Sequence, residues 1–290
     1  MTTVTTVTTA HQPLAPEGSD GVPTTSPPSP DQRRAAHEAR VDALVGDHLA
    51  RRARGERHPV EDFLFTYYSL RPGQLRQFHP GVPDLDLPAF LARRADDVRH
   101  LRDLLVATAS RPARMTCFGL HEWAMVYRQS ASDQRHLVPL RLGGPGTDTV
   151  VENHRIRCSH YDAFRFFTAD ARPRNEFQPT RADQVGLEQP GCLHATMDLY
   201  KWAYKLTPAT PSELVVDCFE LARDARVLDM RASPYDLRSL GYEPIPIETA
   251  EGKAAYLTAQ RELIRRAEPL RAKLIALCDL MLDSAVGQRR

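Results

Sequence analysis

Leu87-Pro-Ala-Phe-Leu-Ala-Arg-Arg-Ala-Asp-Asp-Val-Arg-His-Leu-Arg-Asp-Leu-Leu-Val-Ala-Thr-Ala109 carries the fold class. Its apolar residues fall at 87, 90, 91, 98, 101, 104 and 105, the spacing that stacks side chains on one helix face. The Arg and Asp residues between them form a solvated face, so an amphipathic helix is expected over the stretch. The same period returns upstream. From Asp31 to Gly55, Val41, Leu44, Val45 and Leu49 share one side. Next, Pro59 followed by Glu61 and Asp62 is a helix-start signature, and Arg71-Pro72-Gly73 ends that element. Residues 1–30 are Thr, Pro, Ser and Gly with little to bury, so they are expected as a disordered tail.

Downstream, His136–Leu142 and Thr149–Ile156 flank Gly143-Gly-Pro-Gly146, which reads as a small β-hairpin. The glycines lack the Lys-Ser/Thr ending of a phosphate loop. Ser212 is placed to cap a helix over Glu213–Ala225, followed by an ordered loop over Val227–Leu237. Thr249–Asp283 closes the chain as a long helix with a kink expected at Pro269. No Pro/Ser-rich break interrupts the remainder, so residues 31–290 are expected as a single, mainly α domain.

Composition removes several function classes. The formal net charge is +1, so no global field draws the chain to nucleic acid or anionic lipid. Any DNA surface must be a local basic patch. The five cysteines are far apart in sequence and never in a CxxC pair, which argues against a disulfide framework or zinc module. No apolar run reaches the ~20 residues of a membrane span. With no signal pattern at the N-terminus, a soluble, cytoplasmic protein is expected.

Chemistry concentrates between positions 117 and 236. Phe118-Gly-Leu-His121-Glu122-Trp123-Ala-Met125-Val-Tyr127-Arg128 sets an imidazole, a carboxylate, an indole, a phenol and a guanidinium together, a mixture that suits a pocket wall. His121-Glu122 begins like the zinc-protease helix, but Met125 stands where the second histidine belongs. His154-Arg155-Ile-Arg157-Cys158-Ser-His160-Tyr161-Asp162 is a second polar segment. In a third, His194, Asp198 and Trp202 fall one turn apart behind the helix-start pair Pro190-Gly191. Glu188, Asp229 and Asp236 complete the ionisable inventory. Two mechanisms use such a set. In one, a carboxylate among Glu122, Asp162 and Asp198 is a general base with a histidine partner, and aromatic rings clasp a planar substrate. In the other, a metal shell drawn from His121, Glu122, His160, His194 and Asp198 binds iron or zinc.

Taken together, the Phe118–Arg128 stretch, His154–His160, Glu188-Gln-Pro-Gly-Cys-Leu-His194 and Leu228-Asp-Met-Arg-Ala-Ser-Pro-Tyr-Asp236 resemble an actinobacterial family commonly labelled 3-methyladenine DNA glycosylase. The likeness spans roughly residues 58–280. It implies excision of an alkylated purine from DNA by base flipping, without a cofactor. Trp123, Tyr127, Tyr161 and Trp202 would then stack the base, Glu122, His121 or Asp198 would serve catalysis, and Arg155 and Arg157 would hold phosphates. The helix-hairpin-helix motif expected of many such enzymes is absent from the sequence. The alternative is a metal-dependent oxidase or hydrolase acting on a small molecule, and the third class is a non-catalytic helical binding protein.

Overall fold

Ser29 opens the first long helix, α1 (Pro30–Ala53), with a capping box: its hydroxyl accepts from the Gln32 backbone amide, and the Gln32 side-chain oxygen accepts from the Ser29 backbone amide. This computed structural model describes residues 27–130 and 138–287, with side chains to 284. The expected tail therefore lies almost wholly outside the described residues. Two short helices follow, α2 (Phe63–Tyr67) and α3 (Pro72–Leu75). Then α4 runs over Leu87–Ala109, capped by the Asp86 carboxylate, and buries Phe90, Leu91, Val98, Leu101, Leu104 and Leu105 as the spacing predicts.

The remaining helices are α5 (Leu120–Ala124), α6 (Gly143–Asn153), α7 (Tyr161–Phe164), α8 (Gln184–Leu187), α9 (Leu193–Lys205), α10 (Ser212–Arg231) and α11 (Ala250–Gly287). Helices α9 and α10 pack side by side at the centre, and α11 lies across both and against α4. Helix α1 is tied to α10 by Arg33–Glu213 and by Arg40, which reaches Asp217 and Glu220. One apolar core joins Val41, Leu101, Leu120, Met197, Phe219 and Leu274 from six helices. The chain is thus a mainly α domain. Helix α11 continues through Pro269 as one element. No helix among the described residues is long and apolar enough to cross a membrane.

The expected β-hairpin is not formed. Gly143-Gly-Pro-Gly146 begins α6 instead, and the described residues hold only two isolated bridges, Leu140–Tyr235 and Ile156–Asn175. Glycine's poor helix propensity points to a turn, but tertiary burial overrides it. Thr147, Val150 and Val151 are buried, and their i, i+3, i+4 spacing needs a helix. Pro145 sits in the first turn, where its missing N–H costs nothing. The Thr147 hydroxyl donates to the Gly143 carbonyl at 2.7 Å. Residues 136 and 137, at the head of the first expected strand, lie outside the described residues.

A second difference lies at the end of α10. The helix continues to Arg231, past the Ala225 boundary expected from sequence. Ser212 does not cap it: its hydroxyl donates to Gln77 and accepts from the His79 amide, pinning the α3–α4 connection.

Candidate functional site

Three local devices bring distant ionisable residues to one place. Gly119 starts α5 with φ 72°, and a Cβ there would press within 3.3 Å of the Ala232 Cβ, so the backbone turns tightly and presents His121 and Glu122 inward. Gly191 precedes α9 so close to the Arg114 carbonyl that a Cβ would come within 2.7 Å of it. That approach sets His194 in the first turn of α9. The added turn of α10 carries Arg226 and Asp229 at i, i+3 on its buried side.

The ligating atoms of His121, His194 and Asp229 all lie within 4.8 Å of one another, and all three residues are buried. His121 Nε2 stands 2.8 Å from Asp229 Oδ1, yet neither atom makes a hydrogen bond of acceptable geometry. The other carboxylate oxygen, Oδ2, accepts from Arg226 Nη1 at 3.2 Å, and the same nitrogen donates to Glu122 Oε1 at 2.7 Å. Arg226 is 2% exposed and lies over the Phe63 ring at 4.0 Å. On the far side of the imidazole, His121 Nδ1 faces Cys117 Sγ at 3.5 Å. The His121 and His194 rings meet edge to face at 4.5 Å.

The two histidines are pushed apart electrostatically. Burial opposes the charged form of His121, but the Asp229 carboxylate and the Cys117 sulfur overcome it and raise its pKa. Burial, followed by repulsion from His121 and His160, drives the His194 pKa well below the ordinary range. His194 is therefore a neutral imidazole with a lone pair to offer.

A second group adjoins the first. His160 Nε2 lies 3.2 Å from Glu188 and 3.4 Å from Asp198, and its ring stacks on His194 at 5.2 Å. The Asn175 side chain clamps the segment before it, accepting from the Cys158 amide and donating to the Cys158 carbonyl. Here the charges are already matched. Lys201 donates to Asp198 and approaches Asp162 at 3.4 Å, and Tyr68 donates its hydroxyl to Asp198 at 3.1 Å. Against the cost of burial, Glu188 and Asp198 raise the pKa of His160 to about 9. Asp198, against the same cost, is held below the carboxylate range by Lys201 and His160. Two cations thus answer two carboxylates.

Cavities lie on both sides of His194. One, of about 270 Å³, has an apolar wall of Phe63, Tyr67, Met125 and Phe166 and meets His194, Glu122 and Arg226. The other, about 20 Å³, is enclosed by Cys117, His121, Cys158, Cys192 and His194 and is large enough for about one water. No protein-family model, curated protein or solved structure matches this chain.

Of the residues singled out by sequence, the structure brings His121, Glu122 and His194 together. It assigns His160 and Asp198 to the neighbouring group, so the His194–Asp198 helical pair does not converge on one point. Trp123 is fully buried, with its indole N–H donating to the Ala232 carbonyl at 2.9 Å. Tyr127 is also buried and donates its hydroxyl to Glu152. Arg155 and Arg157 both reach Glu176, at 2.8 and 2.9 Å. Tyr161 lies under the Arg181 guanidinium, and Trp202 packs beneath Lys201. Sequence reasoning missed Arg226, the place of Asp229 beside His121 and His194, and the gathering of three cysteines. The apolar period continuing through Leu221, Ala225 and Leu228 is the signal that would have extended α10 to Asp229.

Proposed function

We propose that the protein is a metal-dependent enzyme acting on a small, largely apolar molecule, with His121, His194 and Asp229 as ligands of iron or zinc. The observation that carries this reading is the convergence of the buried His121, Asp229 and neutral His194, whose donor atoms lie within 4.8 Å of one another. His121 Nε2 and Asp229 Oδ1 face each other at 2.8 Å and have no other partner, so both remain open to a shared cation. Two histidines and one carboxylate form a donor set suited to non-haem iron or catalytic zinc. The net charge fits as well. With His121 deprotonated as a ligand must be, Glu122 and Asp229 outnumber Arg226, so an incoming cation takes the place of the His121 proton.

An ion held there would supply Lewis acidity or activate water or oxygen. The chain's own residues set the stage. Arg226, anchored by Glu122 and the Phe63 ring, holds Asp229 Oδ2 so that Oδ1 faces the histidines. Cys117 fixes the His121 ring from its Nδ1 side. Phe63, Met125 and Phe166 exclude water from the adjoining pocket and favour an apolar body there.

The base-excision reading, implied by family resemblance, has less geometric support. It calls for aromatic rings free to stack an extruded base, and Trp123 and Tyr127 are enclosed in the core. Of its two phosphate arginines, Arg157 is half-buried and Arg155 is exposed, and both pair with Glu176. Metal analysis of protein purified without chelator tests the proposal. About one iron or zinc per chain supports it, and far less than one that added metal does not raise contradicts it.

A further inference from the structure

Outside the apolar pocket lies a larger cavity, of about 700 Å³, that shares Thr66, Tyr67 and Asp162 with it. Arg165, Arg181, Lys201 and Lys205 line this vestibule against a single acid, Asp162. That carboxylate lies 3.3 Å from Arg165, 3.6 Å from Arg181 and 3.4 Å from Lys201. Asp198 already answers Lys201 from the interior. Asp162 is therefore left to offset Arg165, Arg181 and Lys205, and two positive charges exceed it. The vestibule also has an aromatic floor, with Trp202 beneath Lys201 at 4.3 Å and Lys205 at 5.6 Å. Arg165 lies 4.1 Å over the ring of Phe166, which walls the inner pocket. The cationic rim and the apolar pocket are thus joined by direct contact.

We propose that the substrate carries an oxyanion, a carboxylate or a phosphate, which this vestibule holds while an apolar body enters the inner pocket. The inference rests on reading the inner pocket as the substrate site. Guanidinium forks match oxyanions in two-point geometry, and Arg165 and Arg181 line the vestibule with exposed side chains while Asp162 is largely buried. The inner volume, about 270 Å³, limits the apolar body to a small one. A phenyl ring with a short alkyl chain fits that limit.

The test uses the full chain and three probes: 4-phenylbutyrate, phenyl phosphate and the uncharged 4-phenylbutanol. Of the two tryptophans, Trp202 lines the vestibule and Trp123 is buried, so emission changes report the vestibule. At least one anion should bind about tenfold more tightly than the alcohol, as expected for a charge-assisted hydrogen bond. The advantage should shrink as salt is raised, and vanish in Arg165→Ala/Arg181→Ala. Both side chains are exposed, so melting temperature should hold, and Lys205→Ala gives a second variant with the same direction of change. An alcohol that binds as tightly as the anions, or no binding by either anion, overturns the proposal. Metal content measured on the same samples separates the two readings. Anion preference without metal leaves the vestibule standing and removes the metal enzyme; metal without anion preference does the reverse.

Discussion

Arg226 donates to Glu122 and Asp229 from one nitrogen, at 2.7 and 3.2 Å, across a break of 104 residues between Glu122 and Arg226. This shared donor links the short α5 to the end of α10. It divides Asp229 into one oxygen that is occupied and one that faces His121. Glu122 therefore reads as the residue that positions Arg226, and through it Asp229.

Glu122→Gln follows from this. The amide keeps a hydrogen bond to Arg226 but removes its counter-charge, so Arg226 should lean on Asp229 and draw its charge away from the histidines. Metal affinity should fall by about 10–100-fold, the usual cost of losing a partner behind the ligands. Competition against a chromogenic chelator reads this, with melting temperature on the same sample. Unchanged affinity with a clear loss of stability would make Glu122 a structural ion-pair partner only.

Lys201→Met addresses the neighbouring group. If Lys201 is its charge compensation, removing the ammonium leaves Asp198 buried without its main cation. The protein should lose about 3–5 kcal/mol, measured by urea unfolding, as when one partner of a buried pair is deleted. Metal content should stay the same. Lost metal at unchanged stability would instead give the His160, Glu188 and Asp198 group a ligating role.

The pH dependence of that loss has a definite sign. Asp198 is held below its ordinary value, so its pairing contributes stability above the unfolded carboxylate pKa, about 3.9, and loses it as pH falls. Lys201 is raised to about 12, so its share is complete below the unfolded lysine pKa of ~10.4 and fades as pH rises through 12. The difference in stability between wild type and Lys201→Met should therefore be flat between about pH 5 and the unfolded histidine pKa of ~6.5, where His160 stays charged, and shrink below pH 5. A difference that grows on acidification would contradict the assignment.

DNA binding separates the metal reading from base excision. Trp123 and Tyr127 are enclosed and cannot stack an extruded base, so a duplex carrying an alkylated purine should bind no better than an unmodified one. Replacing both arginines with Ala should leave the salt slope within about one unit, because neither is committed to phosphate. A clear preference for the alkylated duplex, with a steep slope that this double variant flattens, would restore the glycosylase reading.

The long helices are legible in the sequence because their apolar residues keep an unbroken period, as Phe90 to Leu105 do in α4. The end of α10 keeps that period through Leu221, Ala225 and Leu228, but the charges of Arg226 and Asp229 beside it read as solvated when they are buried. Their partners, Glu122 and His121, come from a helix about a hundred residues earlier. His121, Glu122 and His194 stand out by residue type and helical spacing. Their division into two groups does not, since ring stacking between His160 and His194 is a tertiary fact. Trp123 and Tyr127 read as pocket residues only if α5 continues. It stops at Ala124: Trp123, inside the helix, is held in the core by its bond to the Ala232 carbonyl, and Tyr127, in the turn beyond, is buried as well. The glycines at 143–146 misdirect for a different reason, because burial of Thr147 and Val150 outweighs their low propensity.

The central claim is that His121, His194 and Asp229, and not the group beside them, hold a metal ion. Metal content per chain measured in parallel on wild type, Asp229→Asn and Asp198→Asn, each purified without chelator, tests it most directly. The account predicts about one iron or zinc in wild type, nearly none in Asp229→Asn with the helical circular dichroism retained, and close to the wild-type amount in Asp198→Asn. Metal that survives Asp229→Asn and is lost in Asp198→Asn would contradict it, as would a wild-type chain that neither carries nor takes up metal.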